Sequence, residues 1–314
     1  MAQDPFADLR EALTEQLQRF WRADTGPGHA PSEVASEILD TYRDPGHMRP
    51  LDDDASDSLP LLARLRPRGL FEDDWRARPG VSRPWPVVLI HGTGATKGDW
   101  QELGAELRGD GWAVFAAEFG ERATSVIEES AAQVGAYVEA VLQVTGADRA
   151  ILVGHSQGGV LARYWMRMLG GADRVRHLVC LGTPNHGTTM GGIISPVIRT
   201  QIAENIMRSI VHSWFGPSGF QQISGHPLIE SLNAGGDLEE GVTYTCIATR
   251  ADTVVQPPET CFLSDEGREG DVQNLWVEDL EPRAVVLHHE MPRDWRVRKI
   301  VRLALNAVQL PPTR

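Results

Sequence analysis

One stretch constrains this chain more than any other: Ile151-Leu152-Val153-Gly154-His155-Ser156-Gln157-Gly158-Gly159-Val160. A β-branched apolar run stops at a glycine, a serine follows two residues later, and two more glycines open a helical pattern. A strand that reverses into a helix this sharply forces the serine into a strained backbone conformation. Gly154 and Gly158 keep Cβ atoms out of the places where the two arms nearly touch. The turn lifts the Ser156 hydroxyl clear of the sheet. It also aims the Gln157 backbone N–H and the helix N-terminus at any negative charge formed there. Ser156 is therefore the candidate nucleophile, the alternative being a plain strand-to-helix turn.

Around this turn the chain alternates between strand and helix patterns. Strands are expected at Pro86–Ile90, Trp112–Ala117, Arg149–Val153, Val175–Leu181, Val242–Thr249 and Val272–Val277. Helices are expected at Asp99–Arg108, Thr124–Val144, the stretch after Gly159, and Arg293–Val308. Such alternation predicts an α/β fold with a mostly parallel central sheet flanked by helices. Residues 81–314 form the expected catalytic domain. Residues 1–80 read as an N-terminal helical extension, with one helix ending at Thr25 on Leu9, Leu13, Leu17, Phe20 and Trp21, and a second over Pro31–Tyr42.

Between about residues 187 and 241 the alternation stops, which marks an insertion. Within it Ile202, Ile206, Ile210, Val211, Trp214 and Phe215 build one broad apolar helical face. Two readings stand: a helix packed on the core, or a helical lid whose apolar face lines an acyl pocket or meets a lipid surface. On the second, Ile206, Ile210 and Trp214 are substrate-binding candidates.

A serine hydroxyl is a weak nucleophile and needs a histidine base, oriented by an acid. Asp252 stands just beyond the strand Val242–Thr249, where the acid belongs; Asp265 and Asp271 compete from a Gly- and charge-rich loop. His288 and His289 follow the last strand and precede the final helix, the place for the base, and only one of two adjacent residues can serve. His155 lies inside the elbow and is expected to point away from Ser156. For the oxyanion hole, the backbone N–H of Gln157 needs a second donor, and Thr93 in His91-Gly92-Thr93-Gly94 is the candidate.

The formal charge of −13 argues against nucleic acid and strongly anionic membranes as partners. Cys180, Cys246 and Cys261 are an odd set without metal-ligand spacing, so no disulfide framework is expected and the first two read as core residues. The N-terminus shows neither a basic nor an apolar signal region, and no apolar run approaches ~20 residues. A cytoplasmic location is expected, or a secreted one if the chain is a trimmed mature form. Oligomeric state is not legible.

As an ordered set, five stretches resemble the α/β-hydrolases, and more narrowly the bacterial class 2 lipases. They are Val87–Gly94 with Trp100 following, Gly154–Gly159, Leu181–Thr188, Asp252-Thr253-Val254-Val255, and the segment beginning at His288. The resemblance implies a carboxylic-ester hydrolase acting on acylglycerols or similar lipid esters, with no metal or organic cofactor. Family spacing places an apolar residue third, a polar residue or Asp sixth and a Val ninth after the base. His288 meets it with Met291, Asp294 and Val297, whereas His289 would offer Pro292, Trp295 and Arg298. The resemblance therefore implies Ser156, Asp252 and His288 as the triad. Secreted relatives tend to pair a cysteine like Cys261 with one near the last strand, and Asp279-Leu280-Glu281-Pro282 offers none. An acyltransferase or thioesterase on the same fold, and a non-catalytic binding protein, stay open beside the hydrolase.

Overall fold

The computed structural model describes residues 59–64, 66–189, 201–265, 267–268 and 270–308, with backbone alone over 201–210. The helices expected before residue 43 lie outside the described residues.

Six strands form the sheet: β1 (Val87–Ile90), β2 (Val114–Ala117), β3 (Ala150–His155), β4 (Val175–Leu181), β5 (Thr243–Ala248) and β6 (Val272–Trp276). Their order is β2-β1-β3-β4-β5-β6, every neighbouring pair parallel. The central strands are nearly continuous Val, Ile, Leu and Ala because helices cover both faces and leave neither to water.

Alternation along each strand sends residues to opposite sides. Val88, Ile90, Leu152, Leu178 and Tyr244 pack under α2 (Ile127–Thr145) and α3 (Gln157–Met168). Val87, Leu89, Ile151, Val153 and Ile247 pack under α1 (Gln101–Gly109) and the closing helix Trp295–Ala307. Strand and helix positions agree with the sequence reading to within a few residues. Cys180, Cys246 and Cys261 are free and buried, the first two facing each other across β4 and β5.

Contacts group Leu59–Pro196 with Val211–Arg314 in one compact unit. Leu59–Gly80, read with the extension in the sequence, thus pack with the sheet; Phe71 fills the space against Gly104 of α1 that a side chain there would occupy. The same segment covers the exposed edge of β2. The Ala116 N–H donates to Asp73 Oδ1 at 2.9 Å, and Arg108 Nη2 donates to the carbonyls of Val114 at 3.1 Å and Glu72 at 2.7 Å. Side chains thus occupy backbone groups that an open edge would offer to another strand.

The insertion between β4 and β5 contains α4 (Gln201–Gln221), kinked at Gly216, and α5 (Pro227–Asn233). Its return is fastened by the buried Arg163 of α3, whose guanidinium donates to Asn185 O at 3.2 Å, Asn233 Oδ1 at 2.9 Å and Asp237 O at 3.2 Å. Trp214 is buried; the side chains of Ile206 and Ile210 lie outside the described residues.

After β2 the backbone makes a left-handed turn, with φ of 57°, 48°, 63° and 59° at Gly120, Glu121, Arg122 and Ala123. Three of these residues carry a Cβ, at a cost of roughly 1–2 kcal/mol each. Bonds from the Gly120 N–H to Gln133 Oε1 (2.9 Å) and from the Ser218 hydroxyl to Ala123 O (2.9 Å) hold it in place.

Removing the edge cover tests its role. Asp73→Ala leaves the Ala116 N–H and Lys97, 3.2 Å away in the native chain, without the carboxylate. The expected loss is about 1–3 kcal/mol in urea unfolding, with faster thioflavin-positive aggregation on warming. Unchanged values for both would assign the edge's protection to other groups.

Candidate active site

Ser156 sits between β3 and α3 with φ 51° and ψ −124°, the strained geometry expected at the elbow. The two glycines serve different approaches. A Cβ on Gly154 would lie 2.4 Å from the Gly159 nitrogen, so here strand and helix do nearly touch. A Cβ on Gly158 would lie 2.2 Å from the Ile90 carbonyl oxygen. That close approach is to the end of β1, not to the elbow's own strand as the sequence reading had it. The elbow is thereby wedged against the strand that leads into His91-Gly92-Thr93-Gly94.

The three residues proposed from sequence as a triad converge. Ser156 Oγ lies 2.9 Å from His288 Nε2, and His288 Nδ1 lies 2.7 Å from Asp252 Oδ2. A carboxylate only accepts, so Nδ1 carries the proton and Nε2 is left to accept from the serine hydroxyl. The other carboxylate oxygen, Oδ1, accepts from the N–H groups of Val254 (2.8 Å) and Val255 (2.9 Å). Asp252 is therefore fixed by the turn that follows β5, and both its oxygens are in use. Asp252 and His288 are nearly sealed from solvent, while Ser156 is 9% exposed. Asp265 and Asp271 remain in the loop before β6, where the Asp265 side chain accepts from Gly267 N–H.

Thr93 and Gln157 also meet. The Thr93 hydroxyl donates to Gln157 Oε1 at 2.5 Å, which ties the loop after β1 to the first turn of α3. Neither the Thr93 nor the Gln157 backbone N–H has a protein acceptor among the described residues. The first N–H groups of a helix lack intrahelical partners, so an anion at the elbow finds donors ready.

His155 does more than fill the elbow. Its ring lies beside His288, ring centroids 5.0 Å apart, and its Nε2–H donates to the His288 carbonyl at 2.9 Å. One residue thus links the elbow to the loop that carries the base. The signal was within reach: a histidine inside a buried turn requires a partner. His289 is half-buried beside the site and does not enter the relay.

Burial sets the protonation of four histidines, three near the site and His177 near the start of β4. It pushes His91 and His289 down to about 4 and His177 down to about 3, and holds His155 well below its ordinary range. All four are neutral near pH 7. In the unfolded chain each regains a value near 6.5, so below that pH the unfolded state binds protons that the folded state refuses. Stability is then complete above about pH 6.5 and is lost as pH falls toward 4, each histidine contributing about 1.4 kcal/mol per pH unit. Urea midpoints measured from pH 7 to 4 should fall steeply, and His177→Gln should remove about one proton's worth of that slope. A flat profile would mean that these rings are charged in the folded protein.

Known proteins share the fold that carries this site. The family model described as the alpha/beta hydrolase fold matches residues 86–243. A triacylglycerol lipase of Pseudarthrobacter phenanthrenivorans is 30% identical over 123 residues, 37% of this chain and 38% of the relative. One from Burkholderia plantarii is 30% identical over 37% of this chain and 34% of its own length. The chain thus spans little more than a third of the curated relatives it matches. Two solved structures share the fold. Aspergillus fumigatus lipase B has a TM-score of 0.53 and 20% identity, covering 66% of this chain and 49% of that one. The monoacylglycerol lipase of Paleococcus ferrophilus has a TM-score of 0.51 and 17% identity, covering 74% and 97%. With its parallel sheet, its strained serine elbow and a family match over half its length, the chain belongs to the α/β-hydrolase family.

Proposed function

We propose that this protein is a serine carboxylic-ester hydrolase acting on lipid-like esters through an acyl-enzyme. The observation that carries the reading is the unbroken relay from Ser156 Oγ through His288 to Asp252, with steps of 2.9 and 2.7 Å. The lipid character of the substrate is supported by the triacylglycerol lipases among its relatives.

In this mechanism the Ser156 oxygen attacks the ester carbonyl as His288 Nε2 takes its proton. The imidazolium is stabilised by Asp252, which is held in place by the Val254 and Val255 N–H groups. Negative charge on the former carbonyl oxygen is met by the N–H groups of Thr93 and Gln157. His288 returns the proton to the departing alkoxide, and the alcohol leaves. A water then gives its proton to His288 and attacks the acyl carbon. Ser156 recovers the proton as the carboxylic acid departs. The insertion serves as the lid, and the buried Trp214 is uncovered to the acyl chain, and transiently to a lipid surface, when it opens.

Ser156→Ala should lower hydrolysis of p-nitrophenyl esters by ~10³-fold or more, with little change in melting temperature. A variant that keeps the parent rate would remove the basis for the reading. His288→Ala should behave like the serine variant, while His289→Ala should keep most activity, since among the described residues it is His288 that bonds the Ser156 hydroxyl.

A rate series over p-nitrophenyl esters tests the substrate class. Medium and long acyl chains should exceed acetate in kcat/KM. A maximum at acetate would contradict the lipid assignment while leaving ester hydrolysis intact.

A further inference from the structure

The left-handed turn Gly120–Ala123 lies far from the triad in sequence, yet it grips the loop that carries Thr93. The Arg122 carbonyl accepts from the Gly94 N–H at 2.8 Å. From the same residue the guanidinium reaches the other side of that loop, donating through Nη2 to the Gly94 carbonyl and through Nε to the Ala95 carbonyl at 3.4 Å. Its Nη1 donates to Ala63 O at 2.9 Å, in the turn Leu61–Arg64 whose Leu62 packs against Gly94. Residue 94 is thus held at both its N–H and its carbonyl by one arginine, directly after Thr93.

The left-handed backbone at 122 turns carbonyl and side chain toward the same loop, and L-residues rarely adopt that conformation in runs. Such a conformation persists where the surroundings over-determine it. Here Ser218, just past the Gly216 kink of α4, donates to the Ala123 carbonyl, and Gln133 of α2 accepts from the Gly120 N–H. The turn therefore has anchors in the insertion and in the core, and it delivers Arg122 to the oxyanion loop.

We propose that Arg122 is the positioning residue of the oxyanion hole: by clamping Gly94 from both sides it fixes the Thr93 N–H where the substrate's developing oxyanion arrives. This rests on the ester-hydrolase reading. Misplacing a donor by about an ångström costs on the order of 10²-fold in rate, and uniform binding of substrate is unaffected.

The test uses the full chain with Arg122→Gly and Arg122→Asn, which suit a left-handed backbone, so that the guanidinium is lost while the carbonyl grip is kept. Arg122→Lys, which keeps a cation but offers fewer donors in a different geometry, is the third variant. Three quantities are read: kcat and KM on a p-nitrophenyl ester, the inhibition constant of an alkyl boronic acid, and the pH dependence of kcat/KM. A boronic acid forms a tetrahedral anion on the serine and so reports the oxyanion hole. Expected is a 10- to 100-fold loss of kcat with KM within about threefold. Boronate affinity should fall by a similar factor and the acid limb of the pH profile should stay in place; Arg122→Lys should recover part of the loss. Folded variants with parental kcat, or with lowered kcat and unchanged boronate affinity, would overturn the proposal. If Arg122→Gly and Arg122→Asn do not fold, the lysine variant decides by the same two quantities. Failure of the parent protein to hydrolyse esters or to react with a fluorophosphonate would strike the hydrolase reading, a separate outcome.

Discussion

Everything at the site depends on how closely α3 approaches the ends of β1 and β3. A single methyl group on Gly154 or Gly158 would fall 2.4 or 2.2 Å from backbone atoms, so neither approach tolerates a side chain. That proximity forces the abrupt turn in which Ser156 takes a positive φ. It also brings the first turn of α3 beside the loop after β1, so the same wedge that strains the serine sets Gln157 against Thr93. Nucleophile and anion-binding groups are consequently fixed by one packing event. Catalytic geometry held by backbone in this way needs little reorganisation when charge develops.

The relay then requires chain from two later strands to return to that point. Parallel order places the ends of β3 and β5 on the same edge of the sheet, separated by β4 alone. Asp252 follows β5 directly, and its carboxylate is pinned by two N–H groups of its own turn, so its position is local. The local anchor of His288 is longer, its carbonyl accepting from the Met291 N–H at 3.3 Å. The base sits in a short 3₁₀ turn between β6 and the closing helix, and its carbonyl is also held by the His155 imidazole. The elbow thus reaches the base twice, by the serine hydroxyl and by the neighbouring ring.

What could be read from the chain divides along the same line. The elbow, the strands and Asp252 are legible because each is encoded within a few consecutive residues: glycine spacing, apolar runs, an acid at a strand end. The choice between His288 and His289 came from family spacing and not from local chemistry. Asp73 is hidden because nothing local in Glu72-Asp73-Asp74 singles out one acid, while in the fold it completes the β2 edge. The left-handed turn was hidden for a different reason. Glu121, Arg122 and Ala123 have no preference for positive φ, and the anchors that impose it come from residues 133 and 218. Long-range bonds to carbonyl groups do not name their partner in the sequence: His155 shows there only as a buried ring that needs one, and Arg122 shows nothing.

The histidine-rich surroundings of the base follow from charge. On the hydrolase reading, His288 becomes positive in the transition state while buried. A second positive ring beside it would oppose that change strongly, because few solvent dipoles are present to screen it. His91, His155 and His289 are all kept uncharged by burial, through different arrangements: His91 stacked on Phe119, His155 bonded to a carbonyl, His289 near Arg68 and Arg293. Neutral imidazoles supply N–H donors and packing volume to the walls of the site without adding charge. The Asp252 carboxylate, 2.7 Å from Nδ1, then meets the imidazolium with no competing cation from these rings. The burial that keeps these rings neutral is therefore the same property that leaves Asp252 free to stabilise the charged base.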